Sequence, residues 1–258
     1  MLGAIAGDVI GSVHEGADPQ SKSFPLFVPA SRFTDDTVMA VAVASTLLRG
    51  LDYAVALRQW GRAYPAAGYG GMFLRWLFSP DPAPYNSYGN GSAMRVVAVG
   101  WAFDDLDAVL AEAARSAAVT HDHPEGIKGA QAVACAVFLG RTGAGKADIR
   151  AAMEERFGYD CSASLATLKE LASFDVTCQG TVPAAVVAFL ESADFEDAIR
   201  NAVSLGGDAD TLACITGAMA EAFYGGVPDH IASEVMERLD APLANEARAF
   251  AAKFVKHQ

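Results

Sequence analysis

The stretch SLGGDADTLACITGAMAEAF, residues 204–223, decides how the chain is to be read. No charged residue occurs between Thr211 and Ala220. The run is too long for a buried strand and carries no alternation, so it predicts a helix. Apolar and small residues surround its whole circumference, which predicts a helix buried on every side. Yet Asp208 and Asp210 stand at its entry with Thr211 beside them. A single capping residue would start such a helix. Two carboxylates in an apolar setting are costly without a cation, a proton or donors.

The same grammar occurs upstream in RFTDDTVMAVAVASTLLRG, residues 32–50. Thr34, Asp35 and Asp36 are consecutive, and no charge follows from Thr37 to Leu48. Helical residues are ~100° apart around the axis, so three in a row splay over ~200°. They converge on one point only at a non-helical entry. For the same reason Asp208 is expected in the loop, with Asp210 and Thr211 in the first turn. Capping explains either cluster alone, since Thr and Asp are good N-caps. A helix N-terminus favours a negative charge by only ~0.3–1 kcal/mol, too little to hold four crowded carboxylates. Two clusters together point to a hard divalent cation, and Mg²⁺ or Mn²⁺ suits carboxylate and hydroxyl ligands.

Outward from these runs the chain reads as helix after helix. Helices are expected at about 1–14, 35–49, 51–64, 70–78, 92–101, 105–118, 124–140, 146–157, 162–172, 181–192, 194–204, 209–224, 228–238 and 242–256. Asp105 is a capping signal, and Pro124 sits at a first helical position. Long loops are expected at 16–34 and 79–91, and loops of that length inside a compact domain are often functional. The fold class is all-α, one compact multi-helix domain over residues 1–258.

Hydrophobic residues make up 52% of the 258 and charged ones 19%, a globular balance. The formal charge, 19 − 31 = −12, disfavours non-specific binding to nucleic acid or an anionic membrane. Cys135, Cys161, Cys178 and Cys214 show no zinc-like spacing, and buried free thiols in a reducing cytoplasm are expected. The N-terminus lacks the basic region of a signal peptide, and no run reaches the ~18 apolar residues of a membrane span. A cytoplasmic monomer is expected.

Three further pieces carry chemistry. In GAIAGDVIGSVHEG, residues 3–16, Gly3, Gly7 and Gly11 recur every four residues and predict close approach of another backbone. Asp8 and Glu15, seven apart, are expected on one face of that helix, Asp8 either in the site or bonded to neighbouring backbone. In SYGNGSAMR, residues 87–95, a glycine-rich turn runs into an apolar stretch and can present N–H groups to an anion, or simply turn the chain. No GK[ST] follows, so it is no Walker loop. Tyr88 can stack on a base, and Arg95 is either structural or functional. In THDHPEG, residues 120–126, His121 and His123 precede the Pro124 helix, either as a polar cap or near a ligand.

Taken together, AGDVIGSVHE, FTDDTVMA, SYGNGSAMR, THDHPEG and SLGGDADT resemble, in order, the motifs of the ADP-ribosylglycohydrolase family. The resemblance implies a compact, orthogonal multi-helix bundle with a central binuclear metal site for two Mg²⁺ or Mn²⁺ ions. It implies that Thr34, Asp35 and Asp36 hold metal from one side and Asp208, Asp210 and Thr211 from the other. Glu15 falls at the position of a catalytic glutamate, and Asp36 is counted with it in the catalytic group, more as ligand than as base. Ser87, Tyr88, Gly89, Asn90, Gly91 and Ser92 fall in the loop that holds ADP-ribose, with Tyr88 in the adenine-stacking place and His121 touching the ligand. The implied partner is ADP-ribose or an ADP-ribosylated substrate. The implied reaction is hydrolysis at the anomeric carbon of the distal ribose. Ser87 stands where members acting on arginine linkages carry an aspartate, which leans the reading toward another linkage. The chain is also short for the family, so insertions that cover the substrate are expected to be missing. Two other classes stay open: an ADP-ribose-binding protein without turnover, and a helical phosphohydrolase resting on the His121–His123 pair.

Overall fold

In the computed structural model, residues 1–171 and 173–255 are described. They form helices joined by loops, with two isolated β-bridges and no strand among the described residues. The helices are α1 (Leu2–Gly11), α2 (Asp35–Arg49), α3 (Tyr53–Ala63), α4 (Gly71–Phe78), α5 (Gly91–Arg95), α6 (Val99–Ala102), α7 (Leu106–Ala118) and α8 (Pro124–Arg141). They continue with α9 (Lys146–Ala151), α10 (Leu165–Glu170), α11 (Cys178–Leu190), α12 (Phe195–Ser204), α13 (Ala209–Tyr224), α14 (Asp229–Arg238) and α15 (Ala241–Phe254). The all-α expectation is met, and each expected helix has a counterpart. The ends expected at 172 and 256 lie outside the described residues.

Helix α13 is the hub. Every residue from Ala209 to Ala222 is buried, as its apolar circumference predicts. It packs on α1, α8, α11 and α12. The partnership with α1 is the most intimate and runs antiparallel. A Cβ on Gly3 would lie 2.3 Å from the Gly217 carbonyl oxygen, one on Gly7 1.9 Å from that of Ala213, and one on Gly11 2.5 Å from the Asp210 Cα. The glycine row therefore lets two backbones touch, at the helix-propensity cost that such a row carries. Helix α2, buried from Asp36 to Thr46, packs on α1, α3, α5 and α15. The buried apolar side chains form one continuous cluster.

Three expected elements differ. The first helix ends at Gly11 instead of residue 14, because Ser12 turns its hydroxyl back to the Val9 carbonyl at 2.9 Å and the His14 amide closes a tight turn on Gly11. The expected helix at 92–101 is divided: Val96–Ala98 tightens into a 3₁₀ turn between α5 and α6. Helix α11 starts at Cys178, earlier than expected, because Thr177 caps it by accepting the Gly180 amide. All four cysteines are buried free thiols, and no helix among the described residues is long and apolar enough to cross a membrane.

Candidate metal and ligand site

Helices α1, α2 and α13 bring their polar ends to one place. At the entry to α13, Gly206 and Gly207 adopt φ of 73° and 65°, a region that favours glycine. This shape admits the turn that follows α1. The Gly16 amide donates to the Gly207 carbonyl at 2.7 Å, and the Gly207 amide donates to Ala17 at 2.9 Å. The pairing fixes Glu15 beside the α13 entry. One carboxylate oxygen each from Glu15, Asp208 and Asp210 lie within 4.8 Å of one another. Asp208 is the N-cap residue and Asp210 lies in the first turn, as helical geometry required.

Asp8 and Glu15 do not share a helix face. Glu15 has left the helix and is exposed, whereas Asp8 is fully buried. Asp8 is bonded to the α2 entry, which answers the alternative left open for it. Its Oδ1 accepts from the Thr34 hydroxyl at 2.7 Å, and its Oδ2 accepts from the Thr34 amide at 2.9 Å and the Thr37 amide at 3.1 Å. The Thr37 hydroxyl donates to it as well. Asp8 thus ties α1 to α2 and orients Thr34, which is also the N-cap of α2.

Asp36 is 2% exposed. Its Oδ1 accepts from the Thr211 hydroxyl at 3.3 Å, which joins the two acidic motifs across the site. Its Oδ2 is buried with no hydrogen-bond partner among the described residues. Asp35 lies half-buried, with Gly68 opposite its Oδ1.

The electrostatics are those of an acid cage. Burial, then repulsion from Asp208, pushes the Asp210 carboxyl up to about 9. Burial, then Asp8, pushes Asp35 up to about 7. Asp36 rises well above the carboxylate range through burial and then Asp210. Asp208 is raised by burial, tempered by hydrogen bonds that include one from Asn90. Without a cation such a group holds protons. A hard cation can replace those protons, and the unpartnered Asp36 Oδ2 supplies a free donor atom, so the residues present fit a divalent metal. The detected three-carboxylate cluster is Glu15, Asp208 and Asp210, a single candidate cation site among the described residues.

The glycine loop meets this cage through Asn90. Its Nδ2 donates to Asp208 Oδ2 at 2.6 Å and to the Thr181 hydroxyl at 3.0 Å. The Asn90 side chain therefore holds an acid, a role that the loop motif alone did not suggest. Ser87, Gly89, Asn90, Gly91 and His121 line the cavity. Ser92 does not. It is fully buried and its hydroxyl donates to the Gly126 carbonyl at 2.7 Å. The Tyr88 side chain is 48% exposed, outside the cavity lining, with its ring 5.2 Å from that of His123. The two histidines have parted. His123 caps α8 by accepting the Glu125 amide at 3.1 Å, while His121 is buried against the loop. Burial, then the Arg95 charge, holds His121 well below the usual imidazole range.

The cavity measures about 750 Å³, a size that suits a metabolite. Its acidic floor faces a wall that includes Phe33, Tyr64, Tyr69 and Met72. Sequence reasoning missed this wall. The glycine- and aromatic-rich run AYPAAGYGGMF, residues 63–73, was the signal available.

Fold and site define a class: an all-helical protein whose helix entries gather carboxylates under a ligand-sized cavity. The chain belongs to the ADP-ribosylglycohydrolase family, whose model matches residues 1–258. It is 29% identical over 305 residues to ADP-ribosylhydrolase ARH3 of Homo sapiens, covering 87% of this chain and 84% of that protein. It is 27% identical over 260 residues to ADP-ribosylarginine hydrolase Tri1 of Pseudomonas putida (strain GB-1), covering 87% of this chain and 69% of that one. Among solved structures, an "ADP-ribosylglycohydrolase-related protein complex" matches with a TM-score of 0.73 and 29% identity, over 97% of this chain and 95% of that chain.

Proposed function

We propose that the chain is a single-domain, metal-dependent hydrolase that cleaves the bond between the distal ribose anomeric carbon of ADP-ribose and an acceptor. The observation that carries the reading is the convergence of Glu15, Asp208 and Asp210 under the glycine loop of a family member. Thr34, Asp35 and Asp36 on one side, with Asp208, Asp210 and Thr211 on the other, would hold two Mg²⁺ or Mn²⁺ ions. Such ions, when bound, supply charge that orients the ribose hydroxyls and a water.

The chain's own residues do the rest. Glu15 is the exposed member of the acid group, so its carboxylate can exchange a proton with water and hand it to or take it from the reacting centre. The transition state has oxocarbenium character, as in glycoside hydrolysis generally. Asp36, too buried to exchange protons with bulk water, would serve in the catalytic group as a metal ligand, its charge balanced by the cation. Ser87, Gly89, Gly91 and His121 position the ADP-ribose, and Asn90 acts from behind by fixing Asp208. Tyr88, exposed and outside the cavity lining, would have to turn from His123 to cover the adenine. Ser87 leans the linkage away from arginine.

The test is release of ADP-ribose from a panel of linkages, with arginine, serine, phosphate and small-molecule acceptors, in Mg²⁺ and in Mn²⁺. Cation-dependent release from at least one linkage, lost in Asp208→Ala together with bound metal, is expected. Binding of ADP-ribose with release from none of them would replace the hydrolase by a binding protein.

A further inference from the structure

Arg95 is a puzzle that the hydrolase reading leaves untouched. It is 1% exposed, yet it has no carboxylate partner among the described residues. A buried charge without a counter-ion must be repaid by dipoles. Its Nη2 donates to the Ser116 carbonyl at 2.8 Å, to the Ala117 carbonyl at 3.5 Å and to the Thr120 hydroxyl at 2.9 Å. The fully buried Thr120 then places that hydroxyl 2.7 Å from Nδ1 of His121. The other ring nitrogen of His121 faces the glycine loop. A Cβ placed on Gly91 would lie 3.3 Å from Nε2 and one on Gly89 3.6 Å from it.

Hydrogen-bond chemistry orders this chain of groups. A guanidinium only donates, so it occupies a lone pair of Thr120 Oγ1 and leaves the hydroxyl proton to be given elsewhere. The second lone pair could take an Nδ1–H only if the hydroxyl proton went to Tyr85, so the 2.7 Å contact is assigned to donation into Nδ1. We infer that Arg95 and Thr120 are positioning residues that fix His121 as the neutral tautomer with its proton on Nε2, a donor aimed into the cavity beside Gly89 and Gly91. The direction matters because the opposite tautomer would turn a lone pair toward any anionic oxygen held by the loop. Burial and the facing Arg95 charge keep the ring neutral. The other group that faces Thr120 is the Tyr85 hydroxyl, which competes for the same proton. That Nε2–H meets the ligand rests on the proposed function, whereas the tautomer does not.

The two parts are tested separately. Long-range proton–nitrogen NMR on the full chain reads which ring nitrogen carries hydrogen, with the His121 signals assigned by their loss in His121→Gln. The wild type and Thr120→Ser should show a bare Nδ1 and a protonated Nε2. Thr120→Val, similar in shape but without the hydroxyl, should move much of the population to Nδ1–H. With ADP-ribose as the probe, Thr120→Val should weaken binding about tenfold, the scale of one hydrogen bond to a charged group, and Thr120→Ser much less. A wild type protonated at Nδ1, as donation to Tyr85 would produce, overturns the inference. So does a Thr120→Val spectrum unchanged from wild type. If the tautomers behave as stated but no variant and no wild type binds ADP-ribose, the inference stands and the proposed function falls.

Discussion

Replacing Asp210 by asparagine should stabilise the metal-free protein and abolish its response to metal. In the folded chain Asp210 releases its proton only near pH 9, against 3.8 for the ordinary carboxyl, with burial and Asp208 as the main causes. The folded state then binds more protons than the unfolded state between those values, so stability falls as pH rises through that window. Each unit of difference is ~1.36 kcal/mol, so at about pH 8 the site costs up to roughly 6 kcal/mol. Relaxation of neighbours and water returns part of it, and a gain of about 2–3 kcal/mol is expected from Asp210→Asn. The asparagine keeps the local bonds: its Oδ1 can still accept the Thr211 amide that Asp210 accepts at 2.9 Å, and its amide group can donate to Asp208 as the protonated carboxyl does. For a chain of 258 residues each kcal/mol moves Tm by about 2–4 °C, which makes the shift readable. The assay is thermal and urea unfolding in a chelator, at about pH 5 and about pH 8, repeated with excess Mg²⁺ or Mn²⁺. In chelator the variant should be the more stable protein, by more at the higher pH. With cation the wild type should rise and the variant should not. A variant less stable than wild type in chelator at the higher pH, or an advantage that grows toward low pH, would refute the charge argument.

Other outcomes follow from the same geometry. If the proposed function holds, Glu15→Gln should lower kcat by about 10²–10⁴ while leaving Tm in chelator unchanged or higher, because the exposed carboxylate makes no buried packing. Asn90→Ala should weaken Mn²⁺ binding about 10- to 100-fold by calorimetry, since Asp208 loses the donor that orients it. Gly7→Ala should cost at least ~3 kcal/mol in urea unfolding, with the new methyl driven to 1.9 Å from the Ala213 carbonyl oxygen.

Most of the helices were legible because each carries its own signal. The uncharged runs of α2 and α13 are buried on all sides in the structure, and the glycines of α1 lie against the backbone of α13. What local patterning cannot show is who supplies the partner to a polar group. Asp8 and Glu15 look equivalent when counted along a helix. They part because the chain leaves the helix after Gly11 and the turn that carries Glu15 pairs with Gly207, a contact between segments far apart in the sequence. Ser92 sits one residue past a glycine-rich turn and reads as a ligand contact, but the backbone of α8 takes its hydroxyl. Asn90 reads as a loop residue and turns out to hold an acid 118 positions away.

This division has a physical cause that also explains the construction of the site. Apart from Asp8, buried within α1, the buried acids of the site are introduced at helix entries, where the chain is not yet committed to a helical face. Two such entries, the starts of α2 and α13, meet the turn after α1 and the loop before α5. Each is fixed by a contact from another element. Asp8 of α1 holds the α2 entry, Gly207 pairs with the turn that carries Glu15, Asn90 holds Asp208, and Thr211 reaches Asp36. No one of the four segments is a site by itself. The cage exists only where α1 and α13 lie in backbone contact, so the glycine row that carries no chemistry sets the distance between the carboxylates that do. A substitution that spreads that pair of helices should therefore weaken cation binding even at Gly3, the end of the row farthest from the acids.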